Sequence, residues 1–221
     1  MTPDSPLPIP PYPPPPPGAT PAELRAYERA RWNHYLLDPT WRRTRFNAAP
    51  NALLVEAVRG RPAGAALDVH MGEGRNALYL AQQGWQVTGV DLADQALEFA
   101  QRRAAELGVP LTTIAHDAAT YAWGTAAWDL IVLCYADEDA HVAQVQAALK
   151  PGGLLVFENF HADINRLRAT PPGQEVGFAT GELRTLYVAA GFRIARYEEP
   201  IGVADFSRET HRLVQVVAQK R

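Results

Sequence analysis

The 221-residue chain has a single cysteine, Cys134, and two methionines. One thiol cannot close an internal disulfide or build a thiolate zinc site, so a reducing, cytoplasmic setting is expected. No His, Cys, Asp and Glu cluster has metal-ligand spacing, and no metal is expected. Basic excess is also lacking: 21 Lys and Arg against 24 Asp and Glu give a net charge of −3, which leaves no electrostatic case for nucleic acid. No apolar run approaches the ~20 residues of a membrane helix. The first residues show no basic segment followed by an apolar one, so neither a membrane nor a secretory signal is expected. The length suits one packed domain with appendages rather than two domains.

Proline is abundant at the start. Residues 3–21 are dominated by it, and Pro13 to Pro17 are unbroken. Such a segment lacks amide donors and apolar bulk, which predicts a disordered, solvated tail over residues 1–20. Residues 3–17 would also suit a proline-binding partner, though a plain spacer is the simpler reading. From Pro21 the pattern turns helical. Thr20 can cap it, Glu23 follows three residues later, and Leu24, Tyr27 and Arg31 recur at helical spacing. Asp38-Pro39 breaks this helix, and a second is predicted from about Ala48 to Arg59. Between them lie Trp32, Tyr35, Trp41, Arg42, Arg43, Arg45 and Phe46, which either pack or cover what the following domain binds. Residues 21–60 are read as a helical lid.

Residues 61–221 alternate strand and helix. Strands are predicted near 65–69, 86–90, 111–115, 128–134 and 153–158, and helices over about 75–83, 94–107 and 138–149. Gly84 and Gly108 suit helix ends, and Pro151-Gly152-Gly153 is expected to end the third helix. A polar stretch to about 179 precedes a helix near 181–190. After it, 192–198 and 211–218 read as antiparallel strands. The expected fold class is α/β: a Rossmann-like, seven-stranded, mostly parallel sheet with an antiparallel C-terminal hairpin and helices on both faces.

The stretch Leu67-Asp68-Val69-His70-Met71-Gly72-Glu73-Gly74-Arg75-Asn76 reads as a buried strand that enters a glycine turn and opens a helix. Gly72 and Gly74 allow the backbone to turn sharply and approach a ligand. Asp91, ending the next strand, can accept hydrogen bonds from ribose hydroxyls. These features alone also suit a dinucleotide-binding oxidoreductase, or a non-catalytic binding protein whose tail recruits a partner. Asp68 would repel a pyrophosphate and favours a cationic ligand. Asp94 is the expected cap of the helix after Asp91.

Together with GVDLADQALEFA, His116-Asp117-Ala118, WDLIVLCY and Leu149-Lys150-Pro151-Gly152-Gly153-Leu154, the turn resembles the class I S-adenosylmethionine-dependent methyltransferases over roughly residues 48–219. Gly72 to Asp91, Phe178-Ala179 with Gly181 to Arg184, and Tyr197-Glu198-Glu199 look most like the small-molecule, tellurite-resistance type. The resemblance implies S-adenosyl-L-methionine as cofactor and in-line methyl transfer to a small soluble acceptor through an O, N, S or chalcogen nucleophile. It assigns Asp68, Gly72 and Gly74 to the methionine side and Asp91 to the ribose. Leu92 would lie against the adenine, with Asp117 and Ala118 at its amino group and ring nitrogen. Cys134 and Tyr135 would line the methyl-transfer site, and Asn76 joins the cofactor contacts.

His70 departs from the family, which has glycine there, and Met71 replaces a small residue or cysteine. The imidazole has three readings: a bond to the cofactor carboxylate, a base, or a structural side chain. A positive φ would make histidine costly at this position. Near the methyl the candidates are Tyr135, Asp137, Glu138, Asn159 and His161, of which Tyr135 and His161 are taken as catalytic. Asp137, Glu138 and Asp139 also suit a helix start, and His141 reads as a surface residue. Arg166 and Arg168 either attract an acidic substrate or sit in a solvated loop.

Overall fold

The computed structural model describes residues 10–136, 140–170 and 175–221. Thr20 begins α1 (Pro21–Leu36) with a reciprocal cap. Its hydroxyl accepts from the Glu23 amide at 3.3 Å, and the Glu23 carboxylate accepts from the Thr20 amide at 2.8 Å. Asp38 does more than stop this helix. Its carboxylate takes the Thr40 and Trp41 amides at 2.7 and 3.2 Å and starts α2 (Pro39–Arg45), a helix the sequence pattern does not reveal. The next helix, α3 (Ala52–Val58), begins later than expected because Asn51 caps it through the Leu54 amide. The described part of the proline tail is not wholly solvated. The Tyr12 amide donates to the Tyr35 hydroxyl at 2.9 Å, and the Tyr12 ring lies against Tyr27 and His34.

Alternating side chains build two cores. On β1 (Ala65–Val69), β4 (Trp128–Cys134) and β5 (Leu149–Phe160), Leu67, Val69, Ile131, Leu133, Leu155 and Phe157 pack with α6 (Val142–Ala148) and α8 (Glu182–Ala189). Ala66, Leu130, Val132, Leu154 and Val156 pack on the other face with α3, α4 (Arg75–Gln82) and α5 (Asp94–Leu107). Strands covered on both faces must be apolar throughout, which is why they read as continuous hydrophobic runs. β2 (Gln86–Asp91) and β3 (Thr112–Ala115) extend the parallel sheet; β8 (Thr210–Gln219) and β6 (Arg193–Glu198) close its far side antiparallel. The order is β3-β2-β1-β4-β5-β8-β6, and a short β7 (Ile201–Val203) pairs with β8, one strand more than the seven expected.

Several local expectations are corrected. Pro151-Gly152-Gly153 does not end a helix but lies within β5, where the register against β4 shifts. α7 (Ile164–Arg168) occupies part of the expected polar loop. His141 is buried against the Trp123 ring, with its backbone at φ +46° ahead of α6. Asp94 does not cap α5; its carboxylate is drawn instead to Arg29 of α1, at 2.8 and 2.7 Å, and to Asn33. No helix among the described residues is long and apolar enough to cross a membrane.

From β1 the sheet winds outward in both directions, β2 on one side and β4 on the other. The connections at their carboxyl ends diverge and leave a crevice there. α1 and α2 roof it, anchored by Arg29 on Asp94 and by Arg42 on Glu73 at 2.6 and 2.5 Å.

Candidate active site

A cavity of about 750 Å³ fills the crevice. The backbone leaves β1 in the left-handed region, with φ of +54° at both His70 and Gly72 and +79° at Gly74. A Cβ on Gly72 would project into open space, whereas one on Gly74 would stand 3.0 Å from Ala100 and Met71. Gly72 therefore borders the cavity, and Gly74, expected beside it, packs behind it and starts α4. Asp91 fastens the loop: its carboxylate accepts from the Gly72 and Ala93 amides, both at 2.8 Å. Histidine at position 70 lines the cavity in a conformation costing an L residue about 1–2 kcal/mol.

Met71 is buried and crosses β2 at Gly89, where a Cβ would lie 1.8 Å from the Met71 sulfur. The large side chain at 71 is thus accommodated by the missing one at 89. Gly89→Ala is expected to lower stability by about 1–3 kcal/mol, and adding Met71→Ala should restore most of it. Urea midpoints of the single and double variants check this; two simply additive losses would refute the pairing.

Asp68 lies beneath the loop and is almost wholly buried. Its Oδ2 atom has no hydrogen-bond partner among the described residues. Burial pushes its pKa up to about 7, against the lowering pull of the Arg75 guanidinium and the Ala77 amide. Leu92 and Asp117 line the same half of the cavity, and Arg25 stands 3.7 Å from Asp117. Ala118, expected at the adenine, is buried one residue behind the wall, and its carbonyl accepts from the Trp123 indole at 2.9 Å. Asn76 lines the cavity, and its side-chain oxygen also takes the Asn51 amide at 2.9 Å.

At the other end, β4 exits through Cys134 and Tyr135, the latter at φ +56°. Burial, with Glu158 adding to it, raises the pKa of the Cys134 thiol, which stays protonated. Burial and the carboxylates of Glu158 and Asp205 likewise raise the Tyr135 phenol. Asn159 and Phe160 line the cavity beside them. His161 does not. Its amide still bonds Arg212 across the sheet, so the pleat carries its ring away from Phe160, where it meets Thr180 at 2.9 Å and Asp163 at 3.1 Å. The ring of His161, expected at the methyl-transfer site, is therefore turned out of the cavity. Asp137, Glu138 and Asp139 lie outside the described residues.

A buried polar cluster beneath Tyr135 escaped the sequence reading. The Asn51 amide group donates to Glu158 and to Asp205, both at 2.7 Å; Gln215 donates to Glu158 at 2.6 Å. Arg75 pairs with Asp205 at 2.6 Å, and Asn47 donates to it at 2.8 Å. Among the described residues no group of three or more His, Cys, Asp or Glu is placed to hold a metal ion.

Residues 66–153, which hold the glycine loop, Asp91, Asp117 and Tyr135, match the methyltransferase domain family. Over these residues the chain is similar to methyltransferase domains. Its sheet is shared with solved methyltransferases. The chain is 35% identical over 104 residues to the ubiquinone biosynthesis O-methyltransferase of Idiomarina loihiensis, covering 44% of this chain and 43% of that protein. The aligned stretch spans less than half the length of the curated relatives it matches. TehB from Haemophilus influenzae superposes with a TM-score of 0.64 at 20% identity, covering 77% of this chain and 62% of that one. Magnesium protoporphyrin IX methyltransferase from Synechocystis, solved with bound SAH, gives 0.61 at 18% identity, covering 89% and 99%. The cavity would suit S-adenosyl-L-methionine in two respects. Asp68 offers a buried, unpartnered oxygen to a cation, and Gly72 leaves open the space a Cβ would fill.

Proposed function

We propose that this protein transfers a methyl group from S-adenosyl-L-methionine to a small-molecule acceptor, with α1 and α2 acting as a lid. The observation that carries the reading is Asp68, whose free oxygen at the end of β1 suits an α-amino cation and would repel a pyrophosphate. Gly72 and His70 would border the methionine end, Asp91 would hold the ribose, and Leu92 and Asp117 would flank the adenine. When bound, the cofactor supplies an electrophilic methyl on a sulfonium. The residues of the chain have then to align the acceptor and keep water out, which the roof of Trp32, Arg42 and Phe46 serves. Tyr135 and Cys134 keep their protons, and both Glu158 oxygens accept hydrogen bonds from amides. None of these three is set up to take a proton from the acceptor, which favours a soft or already anionic nucleophile.

Calorimetry on the full chain, titrated separately with S-adenosyl-L-methionine and NAD, tests the reading. Saturable heat with the first and none with the second is expected. Tight NAD binding without S-adenosyl-L-methionine binding overturns it in favour of an oxidoreductase. Asp91→Ala should weaken cofactor binding by at least about tenfold, since hydrogen bonds to a charged group are worth roughly 1.5–3 kcal/mol.

A further inference from the structure

The cavity end beyond Cys134 is an aromatic box. The Tyr135 and Phe160 rings meet at 5.2 Å and an interplanar angle of 72°. Phe206 stands 6.0 Å from Trp32 and 5.4 Å from Phe46. Tyr135 and Phe206 pack against the same buried cluster that contains Phe160, so the two walls are joined. Such walls favour a flat, apolar body that stacks against ring faces and edges.

Among the described residues, charge at the rim of the box is unbalanced. Arg75 is paired with Asp205, Arg31 with Glu28 and Arg42 with Glu73. Arg168, at the end of α7, also borders the cavity, with its guanidinium carbon 5.2 Å from the Phe160 ring centroid. Arg168 has no carboxylate partner among the described residues, and neither does Arg43 across the opening. A guanidinium stacked on an aromatic ring is matched by a planar anion, which it can grip through two parallel hydrogen bonds. An amine at the same point would be repelled.

Resting on the methyltransferase reading above, we propose that the acceptor is an aromatic carboxylate. Its ring lies in the box between Tyr135, Phe160 and Phe206, and its acid group is held by Arg168. The acid is the anchor, which leaves the rest of the ring to face Tyr135.

The full chain, saturated with S-adenosylhomocysteine, is titrated in a calorimeter with benzoate, benzamide, benzylamine and phenyl phosphate. Benzoate should bind at least tenfold more tightly than benzamide, and benzylamine should not bind. Arg168→Gln should erase the preference for benzoate over benzamide while cofactor affinity is unchanged, and Arg168→Lys should restore part of it. Phe160→Leu should weaken benzoate and benzamide alike. No benzoate binding at millimolar concentration, equal binding of benzamide, or a preference retained in Arg168→Gln overturns the proposal. Tighter binding of phenyl phosphate overturns the carboxylate assignment. If S-adenosylhomocysteine itself fails to bind, the methyltransferase reading falls. If it binds without any benzoate preference, only the acceptor proposal does.

Discussion

Cofactor affinity should rise about tenfold between pH 6 and pH 8, and Asp68→Asn should abolish that rise while weakening binding at pH 8 by at least about tenfold. The Asp68 carboxyl has a pKa pushed up from 3.8 to about 7 by burial. Below pH 7 the free protein holds it neutral, and binding an ammonium group requires that the proton leave. Above pH 7 the carboxylate is already ionised and the dependence flattens. Stability of the free protein runs the opposite way. Between about pH 4 and 7 the folded chain binds the Asp68 proton and the unfolded chain does not, so this group's contribution declines as pH rises through that window. Calorimetry at pH 6, 7 and 8 reads the first effect, and thermal melts of the free protein over pH 4 to 8 read the second. An Asp68→Asn variant that keeps the parental affinity profile would exclude Asp68 as the ammonium partner.

Removing the Arg75 guanidinium should destabilise the protein by about 3–5 kcal/mol at neutral pH, the range for breaking a buried ion pair from one side. Arg75 and Asp205 are both largely shielded, and Asp205 shares Asn51 with Glu158. Arg75→Ala would leave two buried carboxylates with amide donors and no cation. The loss should shrink on acidification. Glu158, whose pKa burial already raises, then takes up a proton and lowers the buried negative charge. Urea unfolding at pH 5 and pH 8 checks this, and an equal loss at both would argue against a charge-based role. The Arg75 charge also holds down the Asp68 pKa. In a folded Arg75→Ala protein, the midpoint of cofactor affinity should therefore move to higher pH.

The parallel core was legible because its signals are local. Continuous apolar runs marked β1 and β4, and Gly108 marked the end of α5 at φ +66°. The same locality set the limit. α2 was hidden because Asp38-Pro39 carries the signal for a stop and for a start at once. His161 followed a buried strand, as a site residue should, but one further residue of pleat turned it toward Thr180. His70 departs from glycine at a position whose φ is positive, which no short sequence pattern shows.

The sequence by itself determined the alternation of β1 to β5 with α4 to α6, the glycine turn, and the acids Asp68, Asp91 and Asp117 around the cavity. Each is set within a few residues by hydrophobic period or by the conformational freedom of glycine. Only the tertiary structure decided what stands opposite them. Asn51 meets Glu158 and Asp205 across separations of 107 and 154 residues, and Met71 fills the space left by Gly89. Arg168 reaches the cavity only because α7 folds back over Phe160. Burial raises the Asp68 pKa. Burial belongs to the packed whole rather than to any short stretch of chain.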